Sequence, residues 1–70
     1  MTAEQWVERF AQEVGLEAPG PEDTAEILKL AAAAAHASER TAAPVACWVA
    51  GKTGRPIAEL AELAERLEST

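Results

Sequence analysis

The chain has 70 residues, 49% of them apolar, and carries six Lys and Arg against twelve Asp and Glu for a net charge of −6. That length suits one domain with a core of about 3–5 kcal/mol, and the apolar fraction sets it apart from disordered chains. An acidic balance excludes general nucleic-acid binding, which needs a basic footprint, and disfavours an anionic membrane surface. The charge is uneven. From Arg40 to Ala58 there are three bases (Arg40, Lys52, Arg55) and no acid, while the remainder holds three bases against all twelve acids, a net of −9.

The first helix begins at Thr2, where Thr2 and Gln5 stand at capping-box spacing. Ala3, Trp6, Val7, Phe10 and Val14 follow at helical spacing on one face, and Gly15 is the expected stop. "GLEAPGPED" reads as a loop running into a second helix. Pro21 suits its first turn, and Glu22 and Asp23 suit the positive end of its dipole. This helix is expected to run to about Arg40, with Ile27, Leu28, Leu30, Ala31, Ala34, Ala35 and Ser38 facing inward. Lys29, Ala33, His36 and Arg40, spaced four, three and four, fall on one line opposite that face.

Pro44 opens a third helix, with Thr41 or Ala43 as its cap. Val45, Ala46, Cys47, Trp48, Val49 and Ala50 make it apolar almost all round, the pattern of a buried or interface helix. Gly51 and Gly54 are the expected stops. Pro56 opens the fourth helix, in which Ile57, Leu60, Leu63, Ala64 and Leu67 form one face and Glu59, Glu62, Glu65 and Arg66 the other. No strand alternation and no repeat is visible. The expected fold is therefore all-α, a small four-helix bundle over residues 1–70, with Trp6, Phe10, Leu30, Trp48 and Leu60 in one core.

Little of this points to chemistry. His36 and Arg40, one helical turn apart, form a candidate anion- or partner-binding point with the amides at the start of the third helix. Solvated surface is the plainer reading of the same stripe. "GKTGRP" (51–56) lacks the first glycine of a phosphate loop, since position 46 is Ala46, and lacks the preceding strand. Lys52 and Arg55 beside the helix restart at Pro56 are nonetheless candidates for one anion. Cys47, the single cysteine, permits no intrachain disulfide and no thiolate metal cluster, and reads as a small buried residue. No metal site, cofactor or catalytic set is expected. The N-terminus shows no basic region followed by an apolar run, and no stretch is long enough to span a bilayer, so a cytoplasmic setting is expected.

"VGLEAP" followed by "ILKLAAAAAHASERTAAPVACWVAG" resembles a small actinobacterial domain of unknown function, seen alone or attached to molybdenum-cofactor guanylyltransferase-like proteins. In that family the sharpest stretch reads alanine-histidine, two variable residues, glutamate-arginine, then alanine-alanine-proline. His36, Glu39, Arg40, Ala42, Ala43 and Pro44 match it, whereas Ser38 and Trp48 depart from it. The resemblance implies a link to molybdenum-cofactor biosynthesis by association, without an activity. Two functions follow as expectations. The first is a non-catalytic helical interaction module that docks on an enzyme or on itself, as a two-fold homodimer through Val45, Ala46, Val49 and Ala50. The alternative is a small anion- or cofactor-binding protein using His36, Arg40, Lys52 and Arg55.

Overall fold

A computed structural model describes residues 1–69. Four helices follow in order, α1 (Ala3–Glu13), α2 (Pro21–Ala37), α3 (Ala42–Thr53) and α4 (Ile57–Glu68). No strand occurs among the described residues, so the fold is all-α as the sequence indicates.

Local chemistry sets most of the boundaries. The Thr2 hydroxyl accepts the Gln5 N–H at 3.1 Å while the Gln5 side chain accepts the Thr2 N–H at 2.9 Å, which satisfies two donors at the start of α1. At its other end Gly15 takes φ +78, and the Gly15 and Leu16 amides donate back to the carbonyls of Gln12 and Ala11. This paired closure needs a residue free to enter left-handed space. Pro21 starts α2 with Glu22 and Asp23 in the first turn. The end of α2 falls at Ala37, three residues before the expected Arg40. The Ser38 hydroxyl and N–H both donate to the Ala34 carbonyl, at 2.9 and 3.2 Å, and its backbone leaves helical space at ψ −96. A hydroxyl that bonds its own preceding turn in this way competes with helix continuation. In α3, Gly51 lies inside the helix and Gly54, at φ +69, ends it.

Helix α2 is the centre of the packing, with both α3 and α4 laid against it. The core where they meet is Leu30, Ala50, Leu60 and Ala61, with Ala46, Cys47, Ile57 and Ala64 packed against it. Ala61 is fully enclosed at 0% exposure and Ala33 is at 2%. Small side chains at these contacts let the helix axes approach closely, toward the lower end of the usual ~8–10 Å separation.

The three aromatic residues are not in this core, contrary to the expectation for Trp6, Phe10 and Trp48. Trp6 is 56% exposed, Phe10 55% and Trp48 66%, so only Leu30 and Leu60 of the anticipated set are buried. Leu28 and Leu67 also face outward, while Ala33 of the supposed basic stripe faces inward. Among the described residues α1 packs far less than its neighbours: both principal packed pairs involve α2 with α3 or α4, and Ala11 is the one buried side chain of α1. The molecule is accordingly long. Its 38 Å axis exceeds the span of its longest helix, the 17-residue α2, which is about 26 Å at the usual rise.

Candidate functional site

The four basic candidates do not converge. With α2 finished at Ala37, His36 stands in its last turn and Arg40 in the turn that follows, so the one-turn alignment assumed for them is lost. His36 lies instead across from α4, its Nδ1 3.4 Å from a Glu68 carboxylate oxygen. Arg40 is exposed and forms no ion pair among the described residues.

The amides meant to complete an anion site beside Arg40 are also engaged. Ala42 N–H donates to the Glu39 carbonyl at 2.9 Å and Ala43 N–H to the Arg40 carbonyl at 3.2 Å. Pro44, third in the helix, has no N–H. The first turn of α3 therefore offers a ligand neither of these two N–H groups and none from Pro44, although a helix start ordinarily leaves such groups open.

At the α3–α4 corner the two other cations have partners of their own. The Arg55 guanidinium grips Glu59, one turn into α4, with Nε 3.2 Å from Oε1 and a second, closer contact from the terminal nitrogen. A carboxylate thus already occupies the positive end of that helix. Lys52 places its ammonium 5.1 Å from the centre of the Trp48 ring, within cation–π range. The Thr53 hydroxyl holds the corner, donating to Ala50 O at 2.7 Å and accepting Arg55 N–H at 3.1 Å.

An open groove of about 530 Å³ lies where the loop before α2 meets α3 and the start of α4. Pro19, Ile27, Cys47 and Ile57 supply apolar walls, and Asp23 and Arg55 are its charged residues. Burial raises the Cys47 thiol above its ordinary value, which keeps it protonated and a poor nucleophile at neutral pH. The groove was not legible in the sequence, because it joins residues from position 19 to position 58 that only the packing brings together. Among the described residues no group of three His, Cys, Asp or Glu is placed to hold a metal ion. No helix there is long and apolar enough to cross a membrane.

The larger surface feature is apolar. Trp6 and Phe10 stack with ring centres 5.2 Å apart and planes 15° from parallel, flanked by the exposed Val7 and Val14. A second outward strip runs along α3 through Val45, Trp48 and Val49. Of the four anticipated interface residues, only Val45 and Val49 belong to this strip. Ala50 is buried in the core and Ala46 packs against it, because α3 turns that side toward α2.

A family model described as a domain of unknown function (DUF6457) matches residues 1–70. No curated protein and no solved structure matches the chain.

Proposed function

Because the chain belongs to the DUF6457 family, whose domains carry no assigned function, we propose its role from its surface: a non-catalytic helical interaction module. The observation that carries this reading is the placement of Trp6, Phe10 and Trp48 outside the core. A small domain that leaves its largest apolar side chains in water forgoes several kcal/mol of its own burial, and such patches mark docking surfaces. The basic candidates support the same reading. His36 and Arg55 face carboxylates of this chain and Lys52 covers a ring, which leaves Arg40 as a rim cation for a partner's carboxylate.

The module acts as an accessory in the cytoplasm of an actinobacterium, associated with a molybdenum-cofactor guanylyltransferase-like protein. The resemblance carried by His36, Glu39, Arg40, Ala42, Ala43 and Pro44, which implies that association, is what supports it. Calorimetric titration of the chain into a guanylyltransferase-like protein from the same organism tests it. The expected result is saturable binding that weakens at least ~10-fold in Trp6→Ala/Phe10→Ala. No binding overturns the pathway association. Binding that is unchanged in the variant overturns the role of the apolar surface.

A further inference from the structure

We propose that the partner of the α1 face is the α3 strip of a second copy of this chain, docked reciprocally so that two α1–α3 junctions close a two-fold dimer. The inference rests on the interaction-module reading and names the occupant of both outward faces.

The two faces differ in charge. The α1 face runs from Trp6 to Val14 and the α3 strip from Val45 to Val49, with Lys52 one turn beyond Trp48. Across α1, Glu4, Glu8 and Glu13 stand against Arg9, a net of −2, whereas α3 contains Lys52 and no acid, a net of +1. Pairing α1 with α1 would bring together two faces of net −2, and pairing α3 with α3 would give Lys52 no carboxylate to meet. The cross pairing joins faces of opposite net sign, and like-charge juxtaposition disfavours wrong partners at an interface. Lys52 lies in line with Val45 and Trp48 on the outward side of α3, while Glu4 and Glu13 border the α1 face near its two ends. Lys52 thus meets a carboxylate whichever way the helices run.

The area is also sufficient. The exposed parts of Trp6, Val7, Phe10 and Val14 on α1 and of Val45, Trp48 and Val49 on α3 come to roughly 700 Å² per protomer, close to the ~800 Å² per partner of a standard interface. Reciprocal docking uses both faces of both copies and leaves no open face to propagate a filament, so the guanylyltransferase-like protein competes with the second copy for the α1 face. The chain's net charge of −6 disfavours an anionic membrane as the alternative occupant.

Sedimentation equilibrium from about 1 to 200 µM, with tryptophan emission recorded on the same samples, tests the arrangement. The wild type should reach dimer mass with a blue shift as Trp6 and Trp48 leave water. Trp6→Ala/Phe10→Ala removes the α1 face and Val45→Glu/Trp48→Glu removes the α3 strip, and each variant alone should associate at least ~10-fold more weakly. An equimolar mixture of the two should recover a weaker heterodimer, because the intact α1 of one meets the intact α3 of the other. An α1–α1 dimer would instead survive the α3 changes, and an α3–α3 dimer would survive the α1 changes, so either result overturns the proposal. Failure of the mixture to associate also overturns it. Lys52→Glu leaves the core untouched and serves if either multiple variant folds poorly. It should weaken the dimer and be rescued by Glu4→Lys/Glu13→Lys in the same chain, and an unchanged association constant overturns the pairing. A monomeric wild type that still binds the guanylyltransferase-like protein overturns self-docking and leaves the module reading standing. A monomer that binds nothing overturns both.

Discussion

Replacing Leu30 with alanine tests whether the core lies where α2 meets its two neighbours. Leu30 is 4% exposed, and the residues clustered with it are Ala50, Leu60 and Ala61. The substitution removes roughly three methylene equivalents, worth about 2.4 kcal/mol at ~0.8 kcal/mol each. Alanines cannot reach into the vacated space, so a cavity remains and raises the loss to about 3 kcal/mol. For a chain of this size that approaches the whole stability of ~3–5 kcal/mol. The melting temperature should fall by roughly 15–20 °C, at ~4–8 °C per kcal/mol. Urea unfolding followed by far-UV circular dichroism measures the change, with wild type and variants at equal concentration because association raises apparent stability. Trp48→Ala is the control. Its side chain is two-thirds in water, so at low micromolar concentration it should cost about 1 kcal/mol or less. A loss for Trp48→Ala equal to that for Leu30→Ala would mean that α3 presents its other side to the core, and would refute the packing described above.

Further tests address the helix ends, the thiol and the His36 contact. Thr2→Ala should lower the helical signal through loss of α1, about 1 kcal/mol at the cap, yet move the cooperative melt of α2–α4 by only a few degrees. Gly54→Ala places a side chain at φ +69 and should destabilise by about 1 kcal/mol, read from the urea midpoint. With its folded-state value raised by burial, the Cys47 thiol holds its proton more tightly in the folded chain than in the unfolded one. The associated stability is present below the ordinary value of 9.0 and is lost as pH rises through the raised one, so a pH series of urea midpoints should decline on the alkaline side, and Cys47→Ala should reduce that decline. His36→Ala removes an exposed contact to Glu68, worth ~0–1 kcal/mol, and should leave the melting temperature within a few degrees.

The features that the sequence displayed best are those set by local chemistry. Thr2 with Gln5, Gly15, Pro21 and Gly54 each act within a few residues of chain, and each does in the structure what its residue type dictates. Periodicity identified the apolar face of α1 correctly, but it carries no information on whether another helix covers that face. Trp6 and Phe10 were therefore assigned to a core that consists largely of alanine. Ala33, Ala50 and Ala61 have little hydropathic weight, and their burial follows from the closeness of three helices rather than from their pattern. The helical alignment of His36 with Arg40 is lost for a local reason: it required α2 to continue past Ser38, whose hydroxyl turns back on Ala34. The engagement of the Ala42 and Ala43 amides depends on the turn geometry at Glu39 and Arg40, which residue types alone do not specify.

The double capping of α1 has a consequence for how that helix is populated. Isolated helices shorter than about 12–15 residues are marginal in water, and α1 has 11 with its apolar face uncovered. With Ala11 its one buried side chain, its order depends chiefly on the Thr2–Gln5 box and the Gly15 closure. An element balanced in this way behaves as a rheostat. If half the chains hold α1 as helix, any ligand of that helix sees an affinity reduced about two-fold, and if one in ten does, about ten-fold. Changes at Thr2, Gln5 or Gly15, which touch no partner, would then grade binding strength through helix population while leaving the contact surface itself unaltered.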